Sequence, residues 1–102
     1  MSSHSNYTLT LSEEARADFK GILSYTYQKW GEEQQIKYSE LLDAALLALE
    51  ENPGKGRRHP KLSAEYRYYH AGRHYIVYLI EGQQIQVVRI LHDQTDIPRH
   101  IH

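Results

Sequence analysis

The sequence lacks cysteine altogether, which excludes disulfide bonds and thiolate metal ligands. Long hydrophobic runs are also missing, since no stretch approaches the roughly 20 apolar residues that cross a bilayer. Residues 1–6 lack the basic and apolar regions of a signal peptide. These absences predict a cytoplasmic protein with no membrane partner. We expect residues 1–6 to be a disordered tail or a remnant of cloning, and residues 7–102 to form a single domain.

The formal net charge is only −1, but the charge is divided along the chain. Residues 12–51 carry nine acidic side chains against four Lys or Arg side chains. Residues 52–102 carry eight Lys or Arg side chains against four acidic ones. A chain with an acidic and a basic half can offer two faces to two partners. The alternative is a pair of solvated faces without a partner.

Hydrophobic periodicity predicts two helices between a first strand and three later ones. Ser12 is a good N-cap for a helical pattern that Gly31 ends. The residues Asn52-Pro53-Gly54 end a second helical pattern, and the chain beyond them alternates with period two. The predicted strands are 7–11, 62–70, 73–80 and 84–91.

The short links between these elements decide the fold class. Two helices joined by a single glycine form an antiparallel hairpin, and breaks of two or three residues between the last three strands allow only β-hairpins. The sequence therefore predicts an α+β fold of order β-α-α-β-β-β, in which a helical hairpin packs on an antiparallel sheet. The residues expected to form the helix–sheet core are Phe19, Ile22, Leu42, Leu46 and Leu49.

Seven histidines raise the question of a metal site. His70 and His74 would converge on a helix but flank a strand turn here, and His100 and His102 lie in a tail that we expect to be unanchored. Spacing therefore selects no metal site. The sequence also contains no Gly-rich phosphate loop and no nucleophile motif. We predict no metal and no cofactor.

Nine tyrosines are many for a chain of this length. Tyrosine suits cross-strand packing on a half-buried sheet, and it also suits nucleic-acid stacking beside arginine. Because the chain is not basic overall, we favour packing. The five tyrosines on the predicted hairpin of the second and third strands are Tyr66, Tyr68, Tyr69, Tyr75 and Tyr78.

Arg89 interrupts the apolar last strand. A charge in such a strand costs stability unless it is paired or reaches water. One interpretation is a buried ion pair, for instance with Asp93 or Asp96. The other is an arginine that a rigid sheet holds ready to contact a partner.

Seven short motifs spaced along the chain form a set. They are Ala15 with Asp18-Phe19 and Ile22, Tyr25-Thr26, Trp30-Gly31, Asn52-Pro53, Gly56-Arg57-Arg58, Arg67 with His74, and Arg89-Ile90-Leu91-His92 with Asp96 and Pro98-Arg99-His100. In this register and with this order of elements, the chain from Tyr7 to Ile101 resembles the ParE branch of the RelE/ParE toxins of bacterial toxin–antitoxin modules. It departs from the family at His70, where a proline or an aliphatic residue is common.

The resemblance implies a toxin that performs no reaction itself. ParE toxins are similar in backbone to the RelE-type ribosome-dependent nucleases, yet they are described as poisons that stabilise a cleaved DNA–gyrase complex. A ParD-like antitoxin, with a ribbon-helix-helix DNA-binding half and a disordered tail, neutralises them by wrapping. We therefore expect growth arrest, two partners (DNA gyrase with DNA, and a ParD-like antitoxin) and an oligomeric toxin–antitoxin assembly.

Charge and apolar patterning select candidate contact residues. An acidic gyrase–DNA complex attracts cations, whereas an antitoxin segment needs apolar anchors. The gyrase-contact candidates are Arg57, Arg58, Lys61, Arg89, His92, Asp96 and Arg99. The antitoxin-contact candidates are Phe19, Ile22, Trp30, Leu42 and Leu49.

The main alternative is an mRNA-cleaving enzyme of the RelE type. Such cleavage needs groups that transfer protons and cations for the developing charge, and Arg67, Arg89 and His92 would supply them. Strand alternation puts His92 on the opposite face from Arg89. A pI of about 6.6 is also low for a protein that sits on ribosomal RNA. These two observations favour gyrase inhibition; a toxin-like regulatory protein without toxicity is the third interpretation.

Overall fold

The computed structural model describes residues 6–101, so the predicted tail lies outside the described residues except for Asn6. Helix α1 spans Glu13–Trp30 and helix α2 spans Glu32–Glu51. Strands β1, β2, β3 and β4 span Thr8–Leu11, Tyr66–Ala71, His74–Glu81 and Gln84–His92. Two 3₁₀ turns, Pro53–Lys55 and Ile97–His100, follow α2 and β4.

The helical hairpin is fixed by its capping residues, as the sequence predicts. The Ser12 hydroxyl accepts a hydrogen bond from the Ala15 N–H at 3.0 Å, which satisfies a donor that the first turn leaves free. Gly31 ends α1 and directly precedes α2. Its φ of +94° lies in the left-handed region that side chains disfavour, so a glycine is needed for this one-residue link.

The predicted order β-α-α-β-β-β is confirmed, and two helices pack on a four-stranded sheet. The order of strands across the sheet is β1-β4-β3-β2. The pairs β2–β3 and β3–β4 are antiparallel as predicted, but β1 runs parallel to β4. This parallel edge refines the expected antiparallel sheet, and it arises because the chain returns to β4 from the far edge of the sheet.

Strand β2 begins four residues later than the sequence predicts. Residues 62–65 turn instead of extending: the Leu62 N–H bonds to the His59 carbonyl and the Tyr66 N–H bonds to the Ser63 carbonyl, both at 3.1 Å. Residues 62–65 contain one large apolar side chain, that of Leu62, which is too few to favour an extended strand over these turns.

One apolar cluster fills the space between the helices and the sheet. Leu42 and Leu49 of α2 are fully buried there, and the predicted Phe19, Ile22 and Leu46 pack against it half-buried. Tyr78 is fully buried in the same cluster; its hydroxyl donates to the Pro53 carbonyl at 2.5 Å and accepts the Gly56 N–H at 2.9 Å. The tyrosine hydroxyl thus ties the loop after α2 to the sheet.

A second apolar cluster covers the opposite face of the sheet. It is formed by Val77, Leu91 and Ile97, with Leu62 and Ile101 packed against it. Ile97 is only 3% exposed, so the C-terminal segment is anchored to the sheet. The expectation of an unanchored tail was wrong as far as Ile101, because the two isoleucines flanking the polar residues pack against the sheet. His102 lies outside the described residues.

The tyrosines of the β2–β3 hairpin divide between the two clusters. Tyr69 and Tyr78 belong to the helix side, and Tyr66, Tyr68 and Tyr75 belong to the opposite side. This division follows strand alternation. The favoured interpretation of these tyrosines as packing residues is confirmed, and all of them except Tyr78 keep part of their surface accessible.

A β-bulge in β4 changes its alternation. Val77 pairs with Arg89 and Tyr78 pairs with Val87, so Val88 is an extra residue. Val87 and Ile90 consequently both join the helix-side cluster although they are three positions apart. The bulge lies immediately before Arg89, and it determines which face of the sheet each later residue of β4 occupies.

Candidate functional site

Arg89 forms an ion pair with Asp18 of α1. Its Nε lies 2.8 Å from Oδ2 and its Nη2 lies 3.1 Å from Oδ1, and the two side chains are 23% and 16% exposed. Hydrogen bonding to Asp18 raises the pKa of Arg89, against the opposing effect of burial. The suggested partners Asp93 and Asp96 were wrong, since helix packing brings a carboxylate from 71 positions away.

Asp18 also completes the edge of β4 beyond the end of β1. Its Oδ2 accepts the Ile90 N–H at 2.9 Å. Just before it, the Ser12 N–H donates to the Val87 carbonyl and the Ser12 hydroxyl donates to the Val88 carbonyl, both at 2.9 Å. Helix α1 thus replaces a neighbouring strand, and Asp18 holds both the backbone and the arginine at that edge.

His92 stands beside His74 and Tyr38 at the far end of the sheet. The two histidines are paired across β3 and β4, and their rings meet edge to face at 5.4 Å. The Tyr38 oxygen accepts the Arg73 N–H at 2.9 Å, and the hydroxyl is hydrogen-bonded to Nδ1 of His74 at 2.5 Å. This contact accommodates a neutral His74 whose Nδ1 accepts the hydroxyl proton and whose own proton is on Nε2.

Burial favours the neutral forms of His74 and Tyr38. Burial lowers the pKa of His74, and the neighbouring His92 lowers it further. Burial also raises the pKa of Tyr38. His92 itself is 47% exposed, and its Nδ1 accepts the Gln94 N–H at 3.2 Å. Because Nδ1 accepts this hydrogen bond, it does not donate one to the Asp93 carboxylate, which lies 3.4 Å away.

The unusual His70 has a partner in the fold. Its Nε2 lies 3.1 Å from Oδ2 of Asp93, and its ring lies 4.8 Å from that of Tyr75. The histidine side chain remains 53% exposed. A proline here would lack the imidazole that contacts Asp93, so His70 links the β2–β3 turn to the chain after β4.

The three residues of the nuclease alternative lie in three separate environments. Arg67 pairs across the sheet with Tyr78 of the helix side and donates to the Gly56 carbonyl at 2.9 Å. Arg89 pairs with Val77 of the opposite cluster and is held by Asp18. His92 stands with His74 on the helix side. The opposite faces predicted for Arg89 and His92 are therefore confirmed.

The other gyrase-contact candidates are solvent-accessible. Arg57, Arg58, Lys61 and Arg99 are exposed, and none of them makes an ion pair within residues 6–101. Leu62 and Ile97, which lie beside Lys61 and before Arg99, pack in the same cluster. The basic loop and the C-terminal segment are therefore anchored on the same face of the sheet. Asp96 is exposed just before the second 3₁₀ turn.

The antitoxin-contact candidates divide into core and surface. Leu42 and Leu49 have no exposed surface, so they are core residues that a partner could not reach in the folded chain. Phe19 is half-buried in the same core. Trp30 is 66% exposed and lines an open groove of about 980 Å³ together with Ile22.

This groove, which we call the α1 groove, runs between α1 and the His74–His92 end of the sheet. Its apolar wall includes Tyr25 (61% exposed), and its polar end includes Tyr38. The residues lining it are Ala17, Asp18, Gly21, Ile22, Tyr25, Thr26, Lys29, Trp30, Gln34, Tyr38, Arg73, His74, Ile90 and His92. An open groove with apolar walls suits an amphipathic segment of another chain.

Two further observations bear on the kind of site. Across the described part of the chain, no three His, Asp or Glu side chains are grouped so that they could hold one metal ion. Over residues 6–101, neither helix is long and apolar enough to cross a membrane.

Both the sequence and the fold are similar to those of known proteins. The model of the ParE toxin of the type II toxin–antitoxin system parDE matches residues 9–97. The chain belongs to the ParE toxin family. Toxin ParE1 of Caulobacter vibrioides is 34% identical over 91 residues, which is 89% of this chain and 94% of the relative. Toxin ParE1 of Mycobacterium tuberculosis is 35% identical with the same coverage, and Toxin ParE of Escherichia coli is 32% identical over 85% of each chain.

A solved structure has the same fold. The structure titled chromosomal ParDE TA system from P. aeruginosa aligns with a TM-score of 0.73 and 19% identity, covering 84% of this chain and 95% of that chain. The sequence identified Asp18 and His74 only as positions in the motifs that resemble the family. Their physical roles required the tertiary contacts with Arg89 and Tyr38.

Proposed function

We propose that this ParE-family toxin inhibits DNA gyrase by stabilising a gyrase–DNA cleavage complex, and that a ParD-like antitoxin neutralises it. The observation that carries the proposal is the family match over residues 9–97, which includes both helices, the sheet except for Thr8, and the start of the second 3₁₀ turn. The toxin would act in the cytoplasm, where gyrase and DNA are found, and would be stored in an oligomeric complex with its antitoxin.

A non-enzymatic mechanism is supported by the dispersed candidates for RNA cleavage. General acid–base cleavage needs its proton-transfer groups and cations within hydrogen-bond reach of one bound phosphate. Arg89 is engaged by Asp18, Arg67 is engaged by the Gly56 carbonyl, and His92 stands apart with His74. The chain would therefore act by binding.

The gyrase-facing surface in this proposal is the sheet face that carries the basic loop and the C-terminal segment. Arg57, Arg58, Lys61 and Arg99 are exposed without acidic partners in the described residues, so their field is available to an acidic surface or to DNA. Arg89 has a supporting role: its pairing with Asp18 fixes the end of β4 from which the C-terminal segment leaves.

The antitoxin site in this proposal is the α1 groove. An aromatic ring as exposed as that of Trp30 gains stability when a partner covers it, and Ile22 and Tyr25 extend the apolar surface along the same helix. Lys29 and Arg73 at the margin would attract acidic side chains of the antitoxin. A segment that is disordered alone and orders on binding fits such an elongated groove.

The experiment that tests the function uses purified toxin in two parallel assays. In the first, supercoiled plasmid and gyrase are incubated with toxin, and cleaved plasmid is trapped with detergent. In the second, translating ribosomes carry a reporter mRNA that is examined for cuts. We expect cleaved plasmid, suppressed by cognate antitoxin, and intact mRNA. Cut mRNA with unaffected gyrase would favour the nuclease function, and no effect in either assay would contradict both.

A further inference from the structure

A second concave site lies at the outer edge of β2, away from the α1 groove. It is a pocket of about 290 Å³ lined by Lys55, Arg57, Tyr68, Tyr69, His70 and Tyr75. Strand β2 is one of the two edge strands of the sheet. Within the described residues, the strand pairing on its outer side is a single bridge between Arg57 and Tyr68, with N–O distances of 2.8 and 2.9 Å. The bridge fixes the backbone of Arg57 beside Tyr68.

Four aromatic rings form a row here, and all of them except His59 line the pocket. The His59 and Tyr68 ring centres are 5.7 Å apart, Tyr68 and Tyr75 are 5.2 Å apart, and Tyr75 and His70 are 4.8 Å apart. Tyr68 and Tyr75 are half-buried on the sheet and pack against the second apolar cluster. A sheet therefore holds the rings in fixed positions, so little side-chain freedom is lost when a flat group stacks on them.

Positive charge accompanies the aromatic row. Lys55 and Arg57 line the pocket, and the exposed Arg58 and Lys61 flank it in sequence. None of the four makes an ion pair in the part of the chain that the structure describes. Among residues 6–101, the one carboxylate bonded to a pocket residue is that of Asp93, whose Oδ2 lies 3.1 Å from Nε2 of His70. The pocket thus offers flat apolar rings beside uncompensated cations.

We infer that this pocket binds one nucleotide of a single-stranded nucleic acid. Its base would stack on the tyrosine rings, and the adjoining phosphates would be neutralised by Lys55 and Arg57. An acidic peptide would satisfy the cations but has no flat group for the rings. A duplex would satisfy the cations too, but its stacked bases could not enter. The inference goes beyond the proposed inhibition of gyrase, because it requires neither gyrase nor antitoxin.

The test measures fluorescence anisotropy of a labelled short oligothymidylate mixed with purified toxin. We expect saturable binding that weakens with salt, with log K falling by about 0.7 per neutralised phosphate for each unit of log salt concentration. An abasic oligomer of equal length keeps the phosphates and lacks the bases. It should bind at least about tenfold more weakly, since stacking one base is worth a factor of this order. An oligouridylate arm tells whether RNA binds as well as DNA, and binding of either strand supports the inference.

Paired variants separate stacking from charge. Tyr75→Leu should weaken binding about tenfold without changing the salt slope, whereas Tyr75→Phe keeps the ring and should bind within about twofold of wild type. Lys55→Ala and Arg57→Ala should each lower the salt slope by about 0.7. Lys37→Ala makes the same charge change on α2 and should have little effect. Melting temperatures identify any variant that fails to fold. If Tyr75→Leu does not fold, Tyr75→Phe and the abasic oligomer still test whether a ring stacks on a base.

Several results would overturn the inference. Equal affinity for the abasic oligomer would show that the rings do not stack on bases. Equal affinity for a duplex, or tighter binding of a labelled poly-glutamate peptide, would show that only charge is recognised. A loss with Lys37→Ala as large as the loss with Arg57→Ala would show that the pocket is not the site. Any of these results can occur while the toxin still produces cleaved plasmid. Conversely, the oligonucleotide can bind as expected while the plasmid-cleavage assay shows no effect.

Discussion

Asp18 and Arg89 form a two-point ion pair between α1 and β4, with N–O distances of 2.8 and 3.1 Å, and Asp18 additionally accepts the Ile90 N–H. The Asp18 carboxylate therefore neutralises the charge of Arg89 and also accepts a hydrogen bond from a backbone N–H at the edge of β4. The loss of Asp18 and the loss of Arg89 have different consequences. Without Arg89, Asp18 still bonds to the backbone, whereas without Asp18 both an arginine and a backbone N–H lose their partner.

The first prediction follows from this asymmetry. Asp18→Ala should lower the free energy of unfolding by about 2–4 kcal/mol and Arg89→Ala by about 1–2 kcal/mol, because a lost charged hydrogen bond costs this much and leaves a partly buried group unpaired. Urea unfolding of both variants and of the double variant gives the coupling between the two residues. Equal losses for the two single variants, or additive losses in the double variant, would contradict this account.

The second prediction concerns the core. Leu42→Ala should cost about 2–5 kcal/mol through lost burial and a residual cavity. Leu47→Ala on the same helix removes the same atoms from a side chain that is 56% exposed, so it should change stability by less than about 0.5 kcal/mol. Chemical denaturation measures both. Similar costs at the two positions would mean that the orientation of α2 is wrong.

The core positions also show what the sequence could and could not predict. Helical spacing identified Leu42 and Leu49, and the caps Ser12 and Gly31 placed both ends of α1, because these signals act within a few residues of each other. The partner of Arg89 could not be found this way, since Asp18 is 71 positions away and several carboxylates lie closer in sequence.

The same limit applies to the sheet and the candidate site. Short breaks between strands predicted the hairpins, but no periodicity specifies that β1 lies parallel to β4. The bulge at Val88 shifts the faces of β4 although the sequence there reads as continuous apolar strand. The α1 groove depends on how a helix end meets the sheet end, so Trp30 and Ile22 are the only antitoxin-contact candidates that line it, and His92 lines it although it was a candidate for gyrase contact.

The third prediction concerns pH. Burial and the neighbouring His92 lower the pKa of His74 from its ordinary value near 6.5, with Asp93 and Asp18 opposing weakly and Tyr38 bonded to its Nδ1. Between the lowered value and about 6.5 the unfolded chain binds more protons, so stability rises with pH in that window. The stabilising contribution is complete above about pH 6.5 and is lost as the pH falls through the folded-state pKa.

His74→Asn isolates this contribution, because its side-chain oxygen can still accept the Tyr38 proton but does not titrate. We expect the variant to lose part of the slope of unfolding free energy against pH below about 6.5. Urea unfolding at several pH values measures it, with His100→Asn, in the exposed C-terminal segment, as the control. An unchanged slope in His74→Asn would mean that another group carries the pH dependence.

The fourth prediction concerns the antitoxin. Trp30→Ala should reduce affinity for the cognate antitoxin by about tenfold or more, because a large exposed aromatic is a typical interface anchor. It should leave stability nearly unchanged, since the side chain is 66% exposed. Leu47→Ala removes a similarly exposed apolar side chain outside the α1 groove and should keep full affinity. Calorimetric titration distinguishes them; equal affinities for the two variants would move the antitoxin site elsewhere.

The fifth prediction concerns toxicity. The double variant Arg58→Ala with Lys61→Ala should reduce growth arrest and plasmid cleavage about tenfold, because the basic loop speeds encounter with an acidic complex. The double variant Lys20→Ala with Lys37→Ala makes the same change in net charge on the helices and should remain toxic. If both doubles lost activity equally, net charge rather than this surface would be responsible.

The pairing of β1 with β4 determines when the sheet can form during synthesis of the chain. Thr8 pairs with Gln84 and Leu11 pairs with Val87, so the first strand has no neighbour until the last strand has been synthesised. Strand β4 also lies between β1 and β3 and carries the arginine that fastens α1. Sheets that depend on such distant pairings close late and slowly. A ribosome must therefore translate β4 before the sheet of this protein can close, so the growing chain lacks its folded shape until that strand has been made.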